Sequence, residues 1–342
     1  MSSAALYMST EEVYSTLKSL ARAAGVAKLY HTVVRRPVKT VKKSIQEGGP
    51  IQQWKTRKEQ EEMREAAKNL SALKPPPEAS GGRREVYFLS GQDFWYQTLF
   101  CFVSLQRLAE ERITPIVYGD GTLGAEAKAR IRRVVPWVEF VERESIEARL
   151  DAHLPVSKYP TLRERRLDYV HLRKLTDFHA GSTGWKLILD SDMLFFRRPS
   201  LLIEWLSSPD HPLHMLDAVE SYGYSRELME ALAGAPIPPR VNVGIVGLRS
   251  EMINWETLEY WCRTMNEREQ VSYLQEQALT AMLVANGERT VAPRPEYLTL
   301  PSVEEGRSPS VTLHHYVAES KRTYFQHGWR HVAGRETVEP PR

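Results

Sequence analysis

Short runs of consecutive apolar residues, each closed by glycine or a carboxylate, alternate along most of the chain with stretches whose apolar positions recur every three to four residues. The first pattern predicts buried strands and the second predicts helices packed on one face. Val86-Tyr87-Phe88-Leu89 reads as a strand ending in Ser90-Gly91. The helix predicted after it turns Leu99, Phe102, Val103, Leu105 and Leu108 inward, with Cys101 packing as a small apolar residue. Ile116-Val117-Tyr118 is a second strand, opened by Pro115 and closed by Gly119-Asp120-Gly121. Proline is tolerated at the first position of a strand. A helix over 126–134, a third strand at 138–141, a helix over 169–178 and a fourth strand, Trp185 to Leu189, follow. Further on come a strand from Val241 to Leu248, a helix with Leu274, Ala278, Ala281 and Met282 on one side, and an alternating strand over 311–317. Strands alternating with helices predict an α/β fold whose parallel sheet is covered on both faces. Such sheets bind ligands beyond the carboxyl ends of their strands.

Before residue 75 the pattern is different. Leu17, Leu20, Ala21 and Ala24 predict a helix over 11–30, interrupted by Gly25. Over 31–45, Val33, Val34, Val38, Val41 and Ile45 stand at near-helical spacing with five basic residues between them, and Pro37 opens or kinks the segment. An interfacial amphipathic helix has this pattern, and so does a helix packed on a neighbouring subunit. Residues 52–73 are charged and helix-prone. Pro75-Pro76-Pro77 and Ala79-Ser80-Gly81-Gly82 then mark the clearest boundary. The predicted organisation is a basic helical arm with its linker over 1–84, a main domain over 85–333 and a tail over 334–342.

Composition narrows the class. Of 342 residues, 42% are apolar and 26% charged, which excludes a collagen-like, disulfide-scaffold or wholly disordered chain. Cys101 and Cys262 lie far apart without a CxxC, which excludes a thiolate zinc site and fits a reducing, cytoplasmic compartment. No run of about 18 apolar residues is present to cross a membrane, and the first twenty residues do not have the form of a secretory signal. The net charge of +3 hides an asymmetry: Lys28 to Lys58 carries +8, and the remainder −5. A basic segment of this kind fits a solvated helical face or an anionic partner, of which the inner membrane surface is the one expected here and nucleic acid is not.

Four constellations carry candidate chemistry. Leu187-Ile188-Leu189 delivers Asp190 and Asp192 at a strand end, and on extended backbone positions i and i+2 point the same way. Two hard oxygen ligands on one side suit Mg²⁺ or Mn²⁺ shared with phosphate oxygens. The same tripeptide opens haloacid-dehalogenase-type phosphatases, but Leu194 replaces their Thr or Val and no downstream Asp pair appears. Asn242 and Gly244 lie in a buried strand, where Asn can serve a hydroxyl-rich ligand and Gly permits close backbone approach. Glu276 and Gln277 lie in a helix whose polar side is otherwise an ordinary surface face. His314 and His315 end a strand with Lys321 following; a strand turns only one of two adjacent histidines to a given side. His327 and His331 have helical zinc-ligand spacing without the glutamate of a zinc protease, and a surface turn is expected there.

Taken together, these residues resemble the GT-A-fold glycosyltransferases, particularly retaining family 8 and glycogenin-like enzymes, over about residues 85–330. The resemblance implies a Rossmann-like, nucleotide-diphospho-sugar transferase fold: a mixed sheet flanked by helices, here with an added N-terminal helical arm. It implies that Asp190 and Asp192 bind Mn²⁺ or Mg²⁺ and a donor diphosphate, with His315 as third ligand and Lys321 as a phosphate contact. Lys174, sixteen residues before Asp190, matches a lysine of the family; Asn242-Val243-Gly244 matches the Asn-x-Gly that touches the donor sugar. Glu276-Gln277 stands where the family has Asp-Gln, beside the sugar face, and these two are the expected catalytic pair. Ser90 and Gly91, with Asp120 as a second candidate, are expected to accept the nucleotide. Ala318 departs from the family's glycine between His315 and Lys321. The implied activity is retaining sugar transfer from a UDP-sugar to a glycan, lipid-linked or protein acceptor. A nucleotidyltransferase of the same fold and a non-catalytic carbohydrate- or envelope-binding scaffold are the alternatives.

Overall fold

A computed structural model describes residues 49–334, with side chains from residue 54 onward. The predicted helices over 11–30 and 31–45, most of the basic segment 28–58 and the tail beyond Gly334 lie outside the described residues. The helix expected over 52–73 is α1, Gly49–Lys68. Ten strands follow among the described residues: β1 (Arg84–Ser90), β2 (Ile113–Gly119), β3 (Glu139–Val141), β4 (Trp185–Leu189), β5 (Met193–Phe195), β6 (Leu213–Leu216), β7 (Val241–Arg249), β8 (Thr290–Ala292), β9 (Tyr297–Thr299) and β10 (Leu313–His315). Seven of them form one sheet in the order β3-β2-β1-β4-β7-β6-β8, and β5-β10-β9 form a second. The helices that matter for the site are α2 (Trp95–Gln106), α3 (Arg173–His179) and α4 (Gln275–Leu283).

The fold is mixed α/β, with helices on both faces of the large sheet. Side-chain alternation on β1 separates the two layers: Val86 and Phe88 join Leu99, Phe102 and Val103 of α2, whereas Tyr87 joins Leu175 and Phe178 of α3. The sheet is mixed, as the resemblance implies. β3, β2, β1 and β4 are parallel, but β7 runs antiparallel to both β4 and β6. An apolar run marks a strand buried on both faces and carries no information about its direction. Pro115 is the third residue of β2 rather than its first; pairing with β3 begins only at Ile116 opposite Glu139. The strand expected over 311–317 shortens to β10, and His327 and His331 lie in a π-helical turn and a helix rather than in a surface turn.

The chain divides into compact units between Glu59 and Gln60. Met63, Ala67 and Leu70 are buried in the same apolar cluster as α2, and the Leu73 amide donates to the Val134 carbonyl at 2.8 Å. Residues 60–84 therefore belong to the body of the molecule, proline run included.

Candidate functional site

The centre of the site is made by two strand ends that meet. β4 runs out at Leu189, and the Asp190 amide still donates to the Gly244 carbonyl of β7 at 2.9 Å. The chain then passes Asp192 into β5, which pairs antiparallel with β10 so that His315 lies opposite Met193. The Tyr316 amide donates to the Asp192 carbonyl at 2.9 Å and closes that end. This register brings His315 Nε2 to 3.3 Å from Asp192 Oδ1 and 3.7 Å from Asp190 Oδ2. One ligand atom from each of the three residues lies within 4.8 Å of the others.

The neighbouring histidine has a different task. His314 is buried on the opposite side, where its ring nitrogens meet Tyr316 Oη at 3.0 Å and Glu305 Oε2 at 2.9 Å. His315 has no hydrogen-bond partner at either ring nitrogen although it is buried. Gly244 makes room for its ring: a Cβ at that position would lie 2.4 Å from His315 Cε1. A buried imidazole left unsatisfied and aimed at two carboxylates fits a divalent cation, because burial without a partner is otherwise costly. Beside this group, Lys321 Nζ lies 3.1 Å from Asp192 Oδ2. Burial would raise the Asp192 carboxyl, but the Lys321 ammonium and His315 outweigh it and hold the carboxyl well below the ordinary range. Asp192 in turn raises Lys321, against the effect of burial.

Lys174 of α3 links this group to the rest. Its ammonium is buried between Asp190 Oδ1 at 2.9 Å and Glu276 Oε1 at 3.1 Å. Burial opposes its charge, and the two carboxylates outweigh that and raise it above its ordinary value. Lys174 is thus shared between a buried carboxyl, Glu276, and a half-buried one, Asp190. Burial, reinforced by Asp190 and opposed by Lys174, accordingly pushes the Glu276 carboxyl up to about 7.

Asn242 and Gln277 meet through a residue not singled out in the sequence, Asp217, which follows β6. Asn242 Nδ2 donates to Asp217 Oδ2 at 3.1 Å, and Gln277 Nε2 donates to the same oxygen at 3.3 Å and to the Ser221 carbonyl at 2.8 Å. Asn242 Oδ1 accepts the Gly244 amide at 2.8 Å. A weaker form of the Asp190 signal was present: Leu213-His214-Met215-Leu216 is a short strand, apolar but for His214, closed by a carboxylate.

The predicted nucleotide residues lie at the ends of β1 and β2, where the Asp120 amide donates to the Ser90 carbonyl at 2.9 Å. Gly91 permits that approach, since a Cβ there would lie 2.1 Å from Asp120 Oδ2. Gly121 has φ +98°, and a Cβ there would lie 3.3 Å from an Arg173 guanidinium nitrogen, a second residue missed in the sequence. Ser90 faces inward instead: it is buried, and its hydroxyl bonds Thr98 of α2 at 2.8 Å.

No protein-family model matches this sequence, and no curated protein matches it. Solved structures do. The chain is similar to the galactosyltransferase LgtC in complex with donor and acceptor sugar analogs, at 14% identity and TM-score 0.46, over 75% of this chain and 97% of that one. It is similar to mouse xyloside xylosyltransferase 1 in its apo form, at 12% identity and TM-score 0.43, over 68% of this chain and 97% of that one. It is also similar to the bifunctional glycosyltransferase WbbM in its apo form, at 12% identity and TM-score 0.43, over 77% of this chain and 53% of that one. At such distances the chemistry has to be read from the residues themselves.

Proposed function

We propose that this chain is a GT-A-type glycosyltransferase that moves a sugar from a nucleotide-diphosphate donor, a UDP-sugar, to an acceptor hydroxyl of a glycan. One observation carries the reading: a buried imidazole that makes no hydrogen bond at either nitrogen converges with two strand-end carboxylates, its Nε2 3.3 Å from Asp192 Oδ1, and a lysine stands beside them. Asp190, Asp192 and His315 would hold Mn²⁺ or Mg²⁺, which would supply positive charge against the donor's diphosphate. Breaking the bond from the sugar carbon to the β-phosphate oxygen leaves negative charge on that phosphate. Lys321, already charged and within reach of Asp192, is placed to stabilise it. Asn242, Asp217 and Gln277 form a connected set of amide and carboxylate groups suited to sugar hydroxyls. Gln277 donates its amide hydrogens to Asp217 and Ser221, and an amide is a poor nucleophile. Retention of configuration therefore fits attack by the acceptor hydroxyl on the same face the diphosphate leaves.

The test is a panel of UDP-sugars with Mn²⁺, Mg²⁺ or EDTA, read as UDP release. Release from one donor that depends on the added cation is the expected result. Full activity after EDTA treatment, or no turnover of any nucleotide sugar, overturns the reading.

A further inference from the structure

The backbone of 190–195 lies along one face of α2, and three small residues at three-residue steps on that face hold it from behind. Thr98 Oγ1 lies 2.7 Å from Ser191 Oγ. The Cys101 thiol donates to the Asp190 carbonyl at 3.6 Å. Ser104 Oγ accepts the Phe195 amide at 3.0 Å and donates to the Cys101 carbonyl at 2.7 Å. Residues three apart are neighbours on a helix, so Thr98, Cys101 and Ser104 form a stripe that follows the 190–195 backbone along α2. The Ser90 hydroxyl at the end of β1 joins it through Thr98, making a chain Ser90–Thr98–Ser191 with links of 2.8 and 2.7 Å.

Ser191 stands between the two carboxylates in the turn that joins β4 to β5, and its hydroxyl is tied to Thr98 on the α2 side. Held to α2 at the Ser191 hydroxyl and at the Asp190 carbonyl, this turn fixes the backbone from which Asp190 and Asp192 project. Both Ser90 and Thr98 are buried, so neither hydroxyl is replaced by solvent when its partner is removed. We infer that Thr98, through Ser191, is a positioning residue for the Asp190–Asp192 pair, fixing the separation of the carboxylates before any cation arrives. The inference rests on the reading of those aspartates as cation ligands.

Mn²⁺ binding to the full chain without donor, followed by the resonance signal of free Mn²⁺, tests it directly. Thr98→Val keeps shape and removes the hydroxyl; Thr98→Ser keeps the hydroxyl and removes a methyl. Thr98→Val is expected to weaken Mn²⁺ binding by about tenfold, in the range of losses seen when groups that orient metal ligands are removed. Thr98→Ser is expected to stay within about twofold of wild type. Ser191→Ala breaks the same link from the loop side and should match Thr98→Val, and the double variant should lose no more than either single one. If Thr98→Val does not fold, Ser191→Ala with its own thermal melt carries the test. Wild-type affinity in Ser191→Ala, additive losses, or a Thr98→Ser variant as weak as Thr98→Val overturn the inference. A wild-type chain that binds no Mn²⁺ overturns the cation reading itself, which is a separate result.

Discussion

The two sides of the site are built on opposite principles. Asn242, Asp217 and Gln277 on one side satisfy one another, and Lys174 is shared between Asp190 and Glu276. On the other side, His315 is buried with both nitrogens unpartnered, facing carboxylates at 3.3 and 3.7 Å. A satisfied network keeps its shape without a ligand, whereas converging unsatisfied groups gain most when one arrives. The first side is a preformed wall, and the second is a socket.

The contrast is tested most severely by Asp192→Asn. This substitution removes one of three converging ligand groups and the counter-charge of Lys321, and should lower sugar transfer by ~10²-fold or more. The thermal melt should fall modestly, because the carboxylate held ionised by Lys321 and His315 is lost while the apolar core is untouched. Unchanged kcat/KM would mean that the socket binds no catalytic cation.

The adjacent histidines sharpen the point. His315→Ala should weaken Mn²⁺ binding about tenfold or more in a calorimetric titration, with little loss of stability. His314→Ala should do the reverse: near-normal Mn²⁺ affinity, with stability lowered by about 1–3 kcal/mol because Glu305 and Tyr316 lose a buried partner. Equal behaviour of the two would remove the distinction between socket and wall.

On the satisfied side, Glu276 is the one group carrying an electrostatic surplus. Its carboxyl is raised to about 7 by burial, so folding favours the protonated form. The associated stability is present below the unfolded value and is lost as pH rises through about 7. Glu276→Gln should therefore flatten the decline in stability between pH 5 and 8, a difference on the order of 1–3 kcal/mol at the alkaline end. Parallel denaturation curves for both proteins across that range would show that Lys174 balances Glu276 fully.

The smallest expected effect lies on the socket side. Ala318, which stands where the resembled family has glycine, has φ +45°, in the left-handed region. Ala318→Gly should stabilise the chain by about 0.5–1 kcal/mol, the relief of Cβ strain exceeding the added freedom of the unfolded chain. A loss of stability on chemical denaturation would instead show that the Ala318 methyl packs.

Local pattern was enough for the strands that end at Ser90, Gly119 and Leu189 and for the helices between them. Each of these depends on neighbours in the chain: apolar runs, breaking residues and the two-residue alternation of extended backbone. The direction of β7, the inclusion of residues 60–84 in the core, and the parts played by Asp217, Arg173 and Thr98 were decided only in three dimensions. Asp217 reaches Asn242 and Gln277 across 25 and 60 residues of chain, and Thr98 reaches Ser191 across 93. Alternation alone requires that His314 and His315 face opposite ways; the pairing of β10 with β5 decides which of them faces the carboxylates. A single strand specifies its two faces, but what lies opposite each face is set by the register of its partner.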